Sequence, residues 1–126
     1  MDKKIKILIL ILAVLAAVFA ITAVVSMQEK NSGKFDEFAK CLSDKGAKFY
    51  GAFWCSHCQT QKAMFGSSKK YLPYTECSTP DTNGQLQACA DQQIKTYPTW
   101  KFADGSVSEG TLSLNTLSEK TGCVLP

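Results

Sequence analysis

The sequence predicts an α/β domain carried behind one N-terminal membrane helix. Three observations point there. An unbroken apolar run opens the chain, helix-period and strand-like segments alternate after it, and an Asp-Gly turn joins two short strand-like runs near the end.

The apolar run comes first. From Ile7 to Met27 no residue is charged, Asp2, Lys3, Lys4 and Lys6 precede it, and Glu29 and Lys30 follow. A helix of that length spans roughly 30 Å, the thickness of a bilayer core. A cleaved signal peptide has an apolar core of only about 7–15 residues. Val18-Phe19-Ala20 is a weak cleavage candidate, but the run continues past it through Ile21, Val24 and Val25. Residues 1–27 are therefore expected to be an uncleaved anchor, with a signal peptide as the alternative. The leading lysines should stay in the cytoplasm, so the domain after the anchor is expected outside the cytoplasm. Gln28 to Gly33 reads as a polar linker and residues 34–126 as the domain.

Within the domain, Phe35, Phe38, Ala39 and Leu42 repeat at helical spacing, ending near Gly46. Ala47 to Phe53 reads as a buried strand and Ser56 to Phe65 as a helix, which Gly66-Ser67-Ser68 should end or kink. Leu72 to Cys77 reads as a short strand, Ser78 to Gly84 as a turn-rich loop, and Gln85 to Ile94 as a helix with Leu86, Ala90 and Ile94 inward. Thr99 to Phe102 and Ser106 to Ser108 flank Asp104-Gly105, a hairpin signal. A last helix runs from about Ser113 to Thr121, with Leu114 and Leu117 inward.

Composition narrows the chemistry. All 14 basic residues are lysine, and beyond Met27 the 11 lysines nearly balance the 10 acidic residues. No basic patch stands out and arginine forks are absent, which argues against nucleic-acid binding. All six cysteines (Cys41, Cys55, Cys58, Cys77, Cys89 and Cys123) lie in the exported domain. An even count in an oxidising compartment suggests pairing.

Cys55 and Cys58 are the reactive candidates. They sit where a strand gives way to a helix, and a helix N-terminus carries free N–H groups and partial positive charge. A thiol placed there ionises more readily, and the thiolate is the nucleophile. Cys58, one turn on, can attack a mixed disulfide on Cys55. His57 offers a donor or positive charge beside the thiolate and would make the disulfide more oxidising. A structural zinc site needs four ligands; the chain has one histidine and no second CxxC.

Phe53-Trp54-Cys55-Ser56-His57-Cys58, followed by Thr96-Tyr97-Pro98-Thr99-Trp100, resembles the thioredoxin superfamily over roughly Phe35 to Gly122. The resemblance implies a central mixed β-sheet flanked by helices. It also implies a cis Pro98 facing Cys55 and Cys58, which would block metal access, and a Tyr97 backbone that pairs with an extended substrate segment. Trp54 would form part of the docking surface, and Trp100 would be core. No cofactor is implied. More narrowly, YGAFWCSHCQTQK, LPYTEC and YPTW resemble the thioredoxin-like domain associated with bacterial homologues of vitamin K epoxide reductase. That resemblance implies oxidation of exported cysteine-containing proteins and reoxidation by a quinone-linked membrane oxidase, here a separate protein. Phe49 stands where thioredoxin carries a buried carboxylate, which leaves the proton acceptor for Cys58 unassigned. Glu76 is a candidate, against a plain hydrogen-bonded strand carboxylate.

Cys77 and Cys89 bracket the 78–84 loop and are expected to form a structural disulfide rather than a second redox relay. In a thioredoxin-like topology Cys41 and Cys123 both fall at the pole away from Cys55. That permits a bridge, against two separate thiols, provided the tail wraps around the end of the sheet. The expected function is a membrane-anchored, extracytoplasmic thiol–disulfide oxidase. A reductase or isomerase is the alternative within the enzyme class, and a metallochaperone or other binding module the alternative outside it.

Overall fold

The computed structural model describes the backbone of residues 1–30 and 33–126 and the side chains of residues 1–26 and 33–126. The linker expected over 28–33 lies partly outside the described residues. The chain divides into two units, Met1–Ser32 and Gly33–Pro126. The first is one helix, α1 (Lys3–Lys30), whose segment Lys3–Ser26 is long and apolar enough to cross a membrane.

The second unit runs α2 (Asp36–Asp44), β1 (Lys48–Gly51), α3 (Ser56–Ala63), a 3-10 turn (Gly66–Tyr71), β2 (Tyr74–Glu76), α4 (Gln87–Ala90), β3 (Thr99–Lys101), β4 (Val107–Glu109) and α5 (Leu114–Thr121). The four strands form one mixed sheet in the order β2-β1-β3-β4. β1 pairs parallel with β2 and antiparallel with β3, and β3 pairs antiparallel with β4. This is the mixed sheet with flanking helices that the resemblance to the thioredoxin superfamily implies.

Strand alternation builds the two sides of the sheet. Phe49 of β1 stacks on its register partner Trp100 of β3, ring centroids 4.8 Å apart. Both belong to the main core, with Phe38, Ala39 and Leu42 from α2, Phe65 after α3, and Leu117 from α5. Tyr50, next to Phe49, joins a second cluster with Cys77, Cys89 and Ile94. Trp100 is fully buried, and its indole N–H donates to Gln61 Oε1 at 3.1 Å, tying β3 to α3. Ser113 caps α5 by accepting from the Thr116 N–H, and Gly122 ends it at φ 72°. Gly105 at φ 83° turns the β3–β4 hairpin while Asp104 accepts from the Ser106 N–H.

One expectation changes. The helix expected over Gln85–Ile94 shrinks to the four residues of α4, with Leu86 and Ala90 exposed and Cys89 buried. The Cys77–Cys89 disulfide turns position 89 inward, and the Leu86 N–H is spent on Cys77 O. Gln93, at φ 55°, stops further helix. The expected Cys41–Cys123 bridge is present. Cys123 shares the main core with α2 and α5, Cys41 packs against that core, and the two Cα atoms are 5.9 Å apart.

Candidate active site

β1 delivers the chain to the site and α3 opens it. Cys55 is the N-cap of α3, in extended conformation, and its Sγ accepts from the Cys58 N–H at 3.2 Å. A sulfur thus stands where a capping oxygen usually does, against the positive end of the helix. The two sulfurs are 2.7 Å apart. Cys58 is 1 % exposed and Cys55 7 %. Burial pushes the Cys58 thiol up to about 12, and the hydrogen bond to Cys55 works in the same direction.

The Tyr97–Pro98 peptide is cis, and Cys55 Sγ lies 3.6 Å from Tyr97 O. Pro98 itself is buried. Trp54, Cys55, Ser56, His57, Lys95, Thr96 and Tyr97 line a groove of about 390 Å³. Trp54 is 51 % exposed and is held by its indole N–H on Ser78 Oγ at 2.8 Å. Its ring meets Tyr97 edge to face, centroids 6.0 Å apart. Tyr97 is pinned from the other side, its hydroxyl accepting from Gln85 Nε2 at 2.7 Å. The Tyr97 N–H has no partner among the described residues, so one backbone donor remains for an incoming chain. His57 is exposed on the groove wall, and its ring makes no hydrogen bond among the described residues. Its carbonyl accepts from the Thr111 hydroxyl at 3.3 Å. Cys77–Cys89 and Cys41–Cys123 are disulfides with Cα atoms 5.5 and 5.9 Å apart, which leaves Cys55 and Cys58 as the free cysteines.

Beneath the pair lies a group of side chains that the sequence only partly indicated. Glu76 Oε1 accepts from the N–H groups of Phe53 and Ser78, at 3.2 and 2.9 Å, and Oε2 accepts from the Tyr74 hydroxyl at 2.7 Å. Burial works to raise the Glu76 carboxyl, but these three donors and nearby Lys62 outweigh it and hold it below the usual carboxylate range. Glu76 is the hydrogen-bonded strand carboxylate, poorly suited to take a proton. Lys62 Nζ sits over the Tyr74 ring, 3.3 Å from its centroid. The spacing from Cys58 to Lys62, one helical turn, was the available signal for it.

Gly51 is the remaining constraint. A Cβ there would fall 2.9 Å from Cys58 Sγ and 2.9 Å from Tyr74 Cε2. Gly51→Ala is therefore expected to push Cys58 Sγ out of line. Overpacking of this kind costs about 1–3 kcal/mol, and disulfide exchange should slow with it. A melt and an exchange rate both equal to wild type would show that the site absorbs the methyl group.

No family model matches the chain. Over 89 residues, 67 % of its length, the chain is 49 % identical to the thiol-disulfide oxidoreductase LTO1 of Arabidopsis thaliana. The matched part is 23 % of that protein, so this chain spans about a quarter of the relative it resembles.

Proposed function

We propose that this chain is a membrane-anchored thiol–disulfide oxidoreductase. Its Cys55–Cys58 pair oxidises thiols of exported proteins and is reoxidised by a quinone-linked membrane oxidase of the vitamin K epoxide reductase type. The observation that carries it is the pair itself. Two cysteine sulfurs lie 2.7 Å apart at a helix N-terminus, with the outer one against Tyr97 O beside an open groove. The similarity to a protein named thiol-disulfide oxidoreductase supports the same chemistry. The apolar α1, with lysines on its leading side, supports an anchor that holds the domain outside the cytoplasm.

The steps balance in sulfur and electrons. A substrate thiolate lies in the groove, its backbone on the Tyr97 N–H, and attacks Cys55 Sγ of the disulfide. The Cys55–Cys58 bond breaks, and Cys58 leaves and takes up a proton. A second substrate thiolate attacks the substrate sulfur of the mixed disulfide and releases Cys55. The substrate departs with a disulfide, and the dithiol passes two electrons to the membrane oxidase. Trp54 and Tyr97 shape the groove, and His57 on its wall tunes the potential of the pair.

The resting state of the pair in cells tests the direction. Trapping thiols in acid, alkylating them with a mass-adding reagent and resolving the forms by gel should find Cys55–Cys58 mostly as disulfide. A mostly dithiol pair rejects the oxidase direction in favour of a reductase or isomerase. A pair that exchanges with no added disulfide and instead copurifies with metal points to a binding module.

A further inference from the structure

Cys58 must gain or lose a proton in every cycle, yet the structure gives it no carboxylate on β1. Phe49 is fully buried at that place and stacks on Trp100. Glu76, the nearest alternative, has its carboxylate occupied by three donors. Tyr74 spends its hydroxyl on Glu76. What remains is a half-buried lysine, Lys62, on the same helix as Cys58 and one turn further on.

We infer that Lys62, seated on the Tyr74 ring and backed by Glu76, is the proton partner of Cys58. The inference builds on thiol–disulfide exchange at Cys55 and Cys58. Three observations carry it. Lys62 Nζ lies 3.3 Å from the Tyr74 ring centroid, so its head group is held inward rather than out in water. Tyr74 Cε2 and Cys58 Sγ each fall 2.9 Å from the place of a Cβ on Gly51, so the ring on which Lys62 sits borders the Cys58 sulfur. Tyr74 is fixed in turn by Glu76, whose carboxylate balances a lysine charge there.

The electrostatics agree with this placement. Burial draws the Lys62 amine below its ordinary range, against the opposing pull of Glu76, Cys58 and Cys55, while Lys69 of the 3-10 turn adds to the lowering. Burial holds the Cys58 thiol protonated. An amine made easier to deprotonate beside a thiol made harder to deprotonate is an arrangement for passing one proton between them. When a mixed disulfide on Cys55 is resolved, the Cys58 proton moves to the Lys62 amine. The Cys58 thiolate then bonds to Cys55 Sγ, and the substrate sulfur leaves as thiolate. When a substrate thiolate opens the disulfide instead, Cys58 departs and the Lys62 ammonium returns the proton. Lys62 thus acts on the reaction through Cys58, as a positioning residue for its charge.

The test uses the full chain in detergent, with Lys62→Met, which keeps the stem, and Lys62→Arg, which keeps the charge but does not release its proton at working pH. Peptide mapping should find Cys41–Cys123 and Cys77–Cys89 intact in both, as in wild type. The readout is the single-turnover resolution of a glutathione mixed disulfide on Cys55, followed from pH 6 to 10. Both variants are expected to resolve it at least about tenfold more slowly at pH 7, with the deficit closing as pH rises and solvent base takes over. The attack of Cys55 on a small disulfide in a Cys58→Ala background, with and without each Lys62 variant, measures the charge effect of Lys62 on Cys55 by itself, and the resolution deficit is expected to exceed it. Wild-type resolution and pH profile in Lys62→Met, or recovery in Lys62→Arg, overturns the role of Lys62 and leaves the exchange chemistry standing. Failure of wild type itself to form or resolve a mixed disulfide overturns both.

Discussion

Replacing Cys58 with alanine is expected to stop catalytic turnover and to leave partner proteins joined to Cys55. Cys55 keeps its position as N-cap of α3, its contact with Tyr97 O and its open groove, so it can still take part in a mixed disulfide. What disappears is the sulfur 2.7 Å away that would displace the partner. Without Cys58 there is no disulfide to donate, and a mixed disulfide on Cys55 is released only by a second thiol of the partner or by thiols arriving from solution, which lack the effective concentration of a fixed neighbour. Exchange turnover should fall by at least about a thousandfold on that ground. Non-reducing gels of the variant should show high-mass adducts that collapse with reductant, and mass spectrometry of the adducts would name the substrates. Cys55→Ser should show none. Adducts of equal abundance in wild type and Cys58→Ala would mean that Cys58 does not resolve them.

Removing the Cys41–Cys123 bridge is expected to produce the largest loss of stability. The disulfide closes a separation of 82 residues, nearly the whole of the second unit. In the chain-entropy model a loop of that size is worth about 4.5 kcal/mol, as an upper estimate. Cys123 is 2 % exposed and sits in the main core, so the substitution also loosens packing. The Cys41→Ala/Cys123→Ala protein should melt on the order of 20 °C lower than wild type, measured by circular dichroism. At temperatures where it stays folded, exchange at Cys55 should persist. The matching change at Cys77 and Cys89 closes only 12 residues, for which the same model gives roughly 3 kcal/mol, so it should cost less. An unchanged melting temperature would mean that the bridge constrains nothing the fold does not already hold.

The strands and most of the helices were legible because their signals are local. Helical spacing of Phe38, Ala39 and Leu42, the strand-like run through Phe49 and Tyr50, and the Asp104-Gly105 turn each need only neighbouring residues. The helix through Gln85–Ile94 was misread for the complementary reason. Leu86, Ala90 and Ile94 carry a helical period, but a disulfide to a distant strand chose Cys89 as the inward side chain, and the helix closed after four residues. Lys62 escaped notice for the same reason. A lysine on a helix reads as solvent-facing until Tyr74 arrives beneath it from β2.

The sequence by itself determined the membrane-length apolar segment, the order of elements, and the place of Cys55 and Cys58 at a strand-to-helix junction with Pro98 further along the chain. Those are properties of short stretches, decided by hydrophobic period, turn residues and a two-residue spacing. Only the tertiary structure decided which side chains surround the resolving sulfur. Parallel pairing of β1 with β2 sets Phe49 opposite Tyr74 and Gly51 opposite Glu76. That register sets an aromatic ring and a hydrogen-bonded carboxylate near Cys58, Lys62 of α3 sits on the ring, and β1 leaves room because Gly51 has no side chain. Residues far apart in the chain meet there, and a close-packed interior, in which one methyl group is too many, fixes their order.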